Sequence, residues 1–194
     1  MKKITLLVTV AILFFASSSN AQIQRGNLLI GADIADFNLG LNSGNGYDIL
    51  INPRLAYFIK DGLAVGPYAT LGLQGAKHIE PTTLYGVGAL GRYYVSDTVM
   101  NLLKHGRFFV EANAGIQGNN NSENDETTNG LGLGIGPGYA YFITPNVGLE
   151  TLLKYDGIIG FGSSVTTSNL VLSLGFQIYL GSKRAREVIT NPNQ

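Results

Sequence analysis

Between Asn27 and Leu180, bulky apolar residues recur at alternate positions, and turn-forming residues interrupt them at intervals. Period two is the strand period, because successive side chains point to opposite faces of the pleat. The pattern predicts eight strands: Asn27–Leu41, Tyr47–Ile59, Leu63–Gly75, Thr82–Val95, Arg107–Gly118, Gly130–Ile143, Val147–Asp156 and Ser168–Leu180. Each reaches the roughly 9–11 residues that a tilted strand needs to cross a bilayer. The alternation is sharpest in "GLGLGIGPGYAYFI", where Gly130, Gly132, Gly134, Gly136 and Gly138 face one way. Leu131, Leu133, Ile135 and Pro137 face the other. A helix is a poor host for this segment, since each interior glycine costs about 1 kcal/mol relative to alanine.

The connections alternate in character. Lys60-Asp61-Gly62 and Thr144-Pro145-Asn146 read as three-residue hairpin turns, with Gly62 or Asn146 suited to a left-handed position. At the other end lie longer polar loops, clearest in "NNNSENDETTN" from Asn119 to Asn129. Ser96–Gly106 is a longer inner connection whose "VMNLLKH" admits a helical turn. There is also an internal echo: "PRLAYFIKDGLAVG" from Pro53 returns as "PGYAYFITPNVGLE" from Pro137, 84 residues on. "RYYV" at Arg92–Val95 is a looser third copy. These copies end the second, fourth and sixth predicted strands at one edge of the sheet. The fifth begins there with Phe108-Phe109, and the eighth ends there with Ile178-Tyr179-Leu180. Aromatics gathered at one level form the girdle expected where hydrocarbon meets headgroups, with Tyr57, Tyr93, Phe108 and Tyr141 as its members.

Sorting the strands by parity separates two faces. One carries Ile51, Leu55, Tyr57, Val65, Leu71, Val87, Val110, Ile116, Leu133, Leu149, Leu172 and Phe176, and no charge interrupts it after the first strand. The other holds Arg54, Arg92, Glu111, Asn113, Gln117, Glu150, Lys154, Ser173 and Gln177 among glycines and alanines. A barrel in water would turn the charged face outward and enrich it in lysine and glutamate. A barrel in lipid inverts this, with apolar residues outside and a polar lumen. The bare face fits the narrow lumen of eight strands, in which the glycines leave room for long side chains from opposite strands. In the first strand Leu28, Ile30 and Ile34 share one parity while Phe37, Leu39 and Leu41 share the other. A bulge near Ala35-Asp36 accounts for the switch.

The N-terminus sets the compartment. "MKKITLLVTVAILFFASSSNAQ" has a positive start at Lys2 and Lys3 and a 13-residue apolar run, Ile4–Ala16. Ser19-Asn20-Ala21 fits the small-residue cleavage rule, so residues 1–21 read as a secretory signal peptide. The expected organisation is a signal peptide over 1–21, a barrel over 22–180 and a C-terminal periplasmic tail over 181–194. Removing 21 residues leaves 173, with 11 Lys+Arg against 13 acidic residues, and a charge of −2 gives no reason to expect nucleic acid. The chain has no cysteine, which rules out a lipidated cysteine at the cleavage site and any disulfide framework. Only 13% of residues are charged, and after the signal no apolar run reaches helix-spanning length. A β-barrel is the remaining way across a bilayer.

At this point the chain resembles the small eight-stranded outer-membrane barrels of the OmpA/OmpX type, the porin-like outer-membrane β-barrel domain. The sharpest local piece is "SLGFQIYL", which looks like the C-terminal signal read by the barrel-assembly machinery, here Ser173, Gly175, Ile178 and Leu180. The resemblance implies an all-β, closed, up-and-down antiparallel transmembrane barrel in the outer membrane of a Gram-negative bacterium. Outer-membrane lipid and the assembly machinery would be its partners, with a surface partner reached through the outer loops and no cofactor. Two departures stand out. The family ends on a terminal aromatic, whereas 14 residues follow Leu180 here, and the girdle lacks tryptophan.

The lumen charges are the candidate site. Counted from the inner strand ends, Arg54, Arg92, Glu111 and Glu150 fall in one layer, with Asp33 and Lys154 somewhat higher. Buried charges are costly unless paired, so an Arg–Glu network closing the lumen is expected. "GVGALG", Gly86–Gly91, matches a dinucleotide-binding pattern but sits in a predicted strand with no helix after it. Neither His78, near Glu80, nor His105 belongs to a metal-ligand spacing or a nucleophile–base pair. No catalytic, cofactor or metal residues are therefore assigned. The function expected is that of a porin-like outer-membrane protein, structural or acting at the surface through its loops. A narrow solute channel is the alternative, with a soluble ligand-binding barrel and a lipid-modifying enzyme behind it.

Overall fold

The alternating segments all form strands. A computed structural model describes residues 23–39, 47–76, 79–95, 106–121, 126–161 and 166–182. The signal peptide, His78, the 99–105 stretch with His105, and residues 183–194 of the tail lie outside the described residues. The strands are β1 (Leu28–Leu39), β2 (Tyr47–Lys60), β3 (Leu63–Ala76) and β4 (Ile79–Tyr94), then β5 (Gly106–Asn121), β6 (Glu126–Thr144), β7 (Val147–Gly160) and β8 (Thr166–Leu180). Each pairs with its neighbour in sequence, and β1 pairs antiparallel with β8 from Leu28↔Leu180 to Ala35↔Ser173, closing the barrel. Closure leaves no sheet edge, as a structure in lipid requires.

Two kinds of connection distinguish the ends. At the turn end, Gly62 has φ of 77°, the left-handed region that its missing Cβ permits. Before this turn Phe58 pairs with Ala64 and Lys60 with Leu63, so Ile59 is an extra residue. The second hairpin repeats the device: Phe142 pairs with Gly148 and Thr144 with Val147, leaving Ile143 extra. The internal echo is thus one bulged hairpin used twice. At the loop end the strands run further than expected. The Asn119–Asn129 stretch, read above as a loop, continues the β5–β6 ladder through Asn119↔Thr128, Asn120↔Thr127 and Asn121↔Glu126. Antiparallel pairing satisfies the backbone of both strands as they leave the barrel, whatever their polarity. The bulge expected in β1 is present: three steps from Ala35 to Asn38 face two from Leu50 to Asp48.

Burial is inverted relative to a globular protein. Val87 is 66% exposed and Leu170 69%, whereas Arg92 is 1% and Glu111 2%. Along β6 the glycines are buried and Leu131, Leu133 and Ile135 are exposed. The room left by those glycines is filled mostly by neighbouring strands, a correction to the expectation of side chains from across the lumen. A methyl on Gly138 would meet the ring of Phe109 (β5), and one on Gly132 would meet Gln117 (β5). One on Gly134 would meet both Asn113 (β5) and Asp156 (β7). Strand tilt makes inward side chains lean sideways over the adjacent strand, and β6 is the bare track on which they lie. At Gly66-Pro67 and Gly136-Pro137 the ladder skips residues, because a proline nitrogen has no hydrogen to donate. At both steps the neighbouring carbonyl, Leu55 or Leu153, crowds the glycine so closely that any side chain would strike it.

Candidate functional site: the charged lumen

The lumen is stacked in layers from the turn end upward. Lowest is an apolar plug. Leu29, Phe58, Tyr94, Phe109, Phe142 and Tyr179 meet there, with ring centroids 5.1 Å apart for Phe142–Tyr179 and 5.4 Å for Tyr94–Phe109. Ala64, Ala140 and Gly148 keep their strands bare at this level, so large residues from some walls fit small ones on others. Ile23 packs against the plug from below, anchored by Gly62 N–H donating to its carbonyl at 2.9 Å.

This plug divides the aromatic ends of the strands. Tyr57, Tyr93, Phe108 and Tyr141 point outward, each at least 40% exposed. Their sequence neighbours Phe58, Tyr94, Phe109 and Phe142, with Tyr179, point inward and are buried. The four residues read above as the girdle are therefore the outward half of the aromatic strand ends, and their neighbours form the plug, because adjacent residues of a strand face opposite ways.

Above the plug lies an alternating chain of charges. Asp33 (β1) pairs with Arg54 (β2). Arg54 Nη1 donates to Glu111 Oε2 (β5) at 2.7 Å, and Arg92 Nη2 (β4) donates to the same oxygen at 2.7 Å. Arg92 Nη1 donates to Glu150 Oε2 (β7) at 2.6 Å. Carboxylates stand at both ends of this chain, and β8 supplies each with a neutral donor: Gln177 Nε2 to Asp33 at 3.1 Å and Tyr179 OH to Glu150 Oε1 at 2.6 Å. Since Tyr179 donates to Glu150, the Tyr94–Tyr179 contact of 2.8 Å has Tyr94 as donor. Arg92 Nη1 in turn donates to Tyr94 at 3.1 Å. Arg92, Tyr94, Tyr179 and Glu150 thus close a ring of directed hydrogen bonds between the charge layer and the plug. The Arg92 guanidinium lies 4.0 Å from the Phe109 ring centroid, so it is held from below as well.

Of the six charges expected in one network, Asp33, Arg54, Arg92, Glu111 and Glu150 are brought together. Lys154 is not part of the chain: its Nζ sits 3.3 Å from Asp156 Oδ2, two residues up the same face of β7. Both remain partly exposed, with side chains 14% and 22% accessible, so Lys154 reaches toward water rather than into the packed layer. Sequence reasoning missed Tyr94, Tyr179 and Asp156 as members of the site. Tyr94 and Asp156 share the parity of a lumen charge on their own strands and Tyr179 that of the lumen-facing Ser173 and Gln177, and that was the available signal. Of the proposed assembly signal, Ser173 and Gly175 are buried on the lumen side, Ile178 is exposed and Leu180 is intermediate.

Chemically, the arrangement is one of neutralisation and closure. Among the described residues no cluster of three or more His, Asp or Glu could hold a metal ion. No helix among the described residues is long and apolar enough to cross a membrane, which says nothing of strands. No protein-family model matches the chain, and no curated protein is similar to it. Among solved structures it is similar to the crystal structure of Neisserial surface protein A (NspA). The identity is 20% and the TM-score 0.53, over 78% of this chain and 95% of that one. It is also similar to the N-terminal β-barrel domain of Pseudomonas aeruginosa OprF, at 17% identity and TM-score 0.50, over 80% of this chain and 98% of that one. The chain has the fold of the small eight-stranded outer-membrane β-barrels.

Proposed function

We propose that this chain is an integral protein of the outer membrane of a Gram-negative bacterium, with a sealed lumen and a structural or surface-interaction role. The observation that carries the reading is the inversion of burial: bulky apolar side chains cover the outside while five charged groups are packed within. Water would not support such a surface, since exposed contiguous apolar area is a liability there. Lipid would, and the girdle of Tyr57, Tyr93, Phe108 and Tyr141 suits one interface. The charge chain and the aromatic plug both lie across the lumen, which favours a closed barrel over a narrow channel. Work would then fall to the strand extensions and loops at the loop end, the side from which a surface partner would be met. No catalytic role is proposed, and outer-membrane lipid and the assembly machinery are the partners this reading implies.

The test is single-channel recording on the refolded chain in a planar bilayer, beside an Arg92→Ala variant. A silent wild type with steps from the variant is the expected result. Steady steps from the wild type would mean that the charge chain lines a pore.

A further inference from the structure

The two copies of the bulged hairpin stand on opposite walls, because β2–β3 and β6–β7 are four strands apart in a ring of eight. Their extra residues, Ile59 and Ile143, are 46% and 47% exposed and hold equivalent places at the turn-end rim. The turns beside them differ in charge. The second is Thr144-Pro145-Asn146, which has none, whereas the first is Lys60-Asp61-Gly62 and has a strap laid along it. Residues 23–27 form that strap: Gly26 N–H donates to the Phe58 carbonyl at 2.9 Å, and Arg25 N–H donates to Asp61 Oδ1 at 2.8 Å. Arg25 and Lys60 are exposed, and neither side chain is in an ion pair among the described residues. The carboxylate at hand, Asp61, accepts the backbone of the strap instead.

Depth and neighbours say what these two charges meet. A Cβ on Gly26 would lie 3.8 Å from the Tyr57 hydroxyl and 3.3 Å from the Cβ of Ser182. Tyr57 belongs to the outward girdle, and girdle tyrosines sit at headgroup level. The strap therefore runs at the height of lipid phosphates. Ser182 begins the tail, and Lys183, Arg184 and Arg186 follow it in sequence. Five of the 11 Lys+Arg residues after the signal thus gather at this corner in fold or sequence, against Asp61 and Glu187. Toward the other wall, Arg107 at the start of β5 is half-buried and donates to the Gly106 carbonyl at 2.8 Å.

We propose that the corner formed by the strap and the β2–β3 turn binds the headgroup of an anionic phospholipid in the leaflet that meets the turn end, with Arg25 and Lys60 on its phosphate. The proposal rests on the outer-membrane reading above. The guanidinium offers a fork of donors to two phosphate oxygens, and the ammonium adds a point charge. Basic residues beside a membrane hold anionic headgroups in this way, and the basic start of the tail adds to the local potential. A zwitterionic headgroup brings an ammonium that the same cations repel, so the site selects by net charge. One wall of the barrel would then carry a preferred lipid that the opposite, uncharged hairpin does not.

The twin hairpins supply the test. One fluorophore is placed on a single cysteine at Ile59 or at Ile143, and the mature chain is refolded into phosphatidylcholine vesicles. An equal, small fraction of the lipid is replaced by brominated phosphatidylglycerol or by brominated phosphatidylcholine. Both leaflets carry the probe lipid, so the direction of insertion does not matter. The Ile59 label should be quenched roughly twofold more by the glycerol lipid than by the choline lipid, and the Ile143 label equally by both. The preference at Ile59 should vanish when Arg25→Gln and Lys60→Gln are combined, a change that keeps the backbone bond of the strap to Asp61. Equal quenching by the two lipids at Ile59 would overturn the site while leaving the barrel in lipid. A preference matched at Ile143, or one that survives in the double variant, would overturn it in the same way. Labels that neither lipid quenches would contradict the membrane reading itself, and the site with it.

Discussion

Removing Arg92 should be the most damaging single change in the lumen, and its cost should depend on whether Glu150 is still charged. Arg92 donates to Glu111, Glu150 and Tyr94, all buried. In Arg92→Met the stem is kept and the guanidinium lost. Glu111 retains Arg54, but Glu150 retains only Tyr179 as a donor. Leaving one member of a buried pair unpaired costs about 3–5 kcal/mol, and two pairs are broken, so the upper part of that range is expected. Glu150→Gln alone loses one bond to a charged partner, about 1.5–3 kcal/mol. In the double variant no orphan carboxylate is left at β7. Its cost should fall short of the sum of the single changes by at least about 1 kcal/mol, within the usual range for residues in contact. Urea unfolding from lipid vesicles, read by far-ultraviolet circular dichroism because the chain has no tryptophan, measures all three. Additive losses, or a loss below about 1 kcal/mol for Arg92→Met, would refute the view that this chain of charges is held by mutual pairing.

The glycines offer a graded set. Gly66→Ala drives a methyl into the Leu55 carbonyl of the adjacent strand, whereas one on Gly91 meets nothing within 4 Å. Gly66→Ala should therefore destabilise by several kcal/mol or block folding, while Gly91→Ala should be neutral or stabilise by about 0.4–1 kcal/mol. Gly62→Ala places a side chain at φ of 77° and should cost about 1–2 kcal/mol in the same assay. Tyr179→Phe keeps the plug packed but strips Glu150 of its phenol donor, so a loss of about 1.5–3 kcal/mol is expected, with less than 1 kcal/mol as the contrary result.

The barrel itself was legible because a lipid-facing strand announces both faces at once. Val87, Ala89 and Tyr93 on one parity and Leu90 and Arg92 on the other already divide outside from inside. The β1 bulge was equally plain, since an extra residue exchanges the faces. What could not be read by height alone was the fate of the aromatic pairs. Tyr57-Phe58 and Tyr93-Tyr94 lie at one level, yet only parity says that Tyr57 and Tyr93 meet lipid while Phe58 and Tyr94 fill the lumen. Lateral placement was hidden as well. Depth along a strand puts Lys154 near the arginines, but which walls face one another depends on tilt and stagger, which no single strand encodes. For the same reason the partners of the β6 glycines had to be seen in three dimensions. The loop-end ladder was obscured by composition: Asn, Thr and Glu read as loop residues, although backbone pairing there makes no demand on side chains.

The most direct test of the central claim is which medium the outer wall meets. The chain contains no cysteine, so single cysteines can be placed at Val87, Ile116, Ile135 and Leu172, all exposed on the outer face, and at Asp61 and Asn146 in the turns. A fluorophore on each, in vesicles made with brominated lipid, should be strongly quenched at the four wall positions, whose thiols should resist a water-soluble maleimide. The two turn positions should behave in the opposite way. Wall positions that react freely with the aqueous reagent and ignore the brominated lipid would contradict the inverted barrel and return the protein to water.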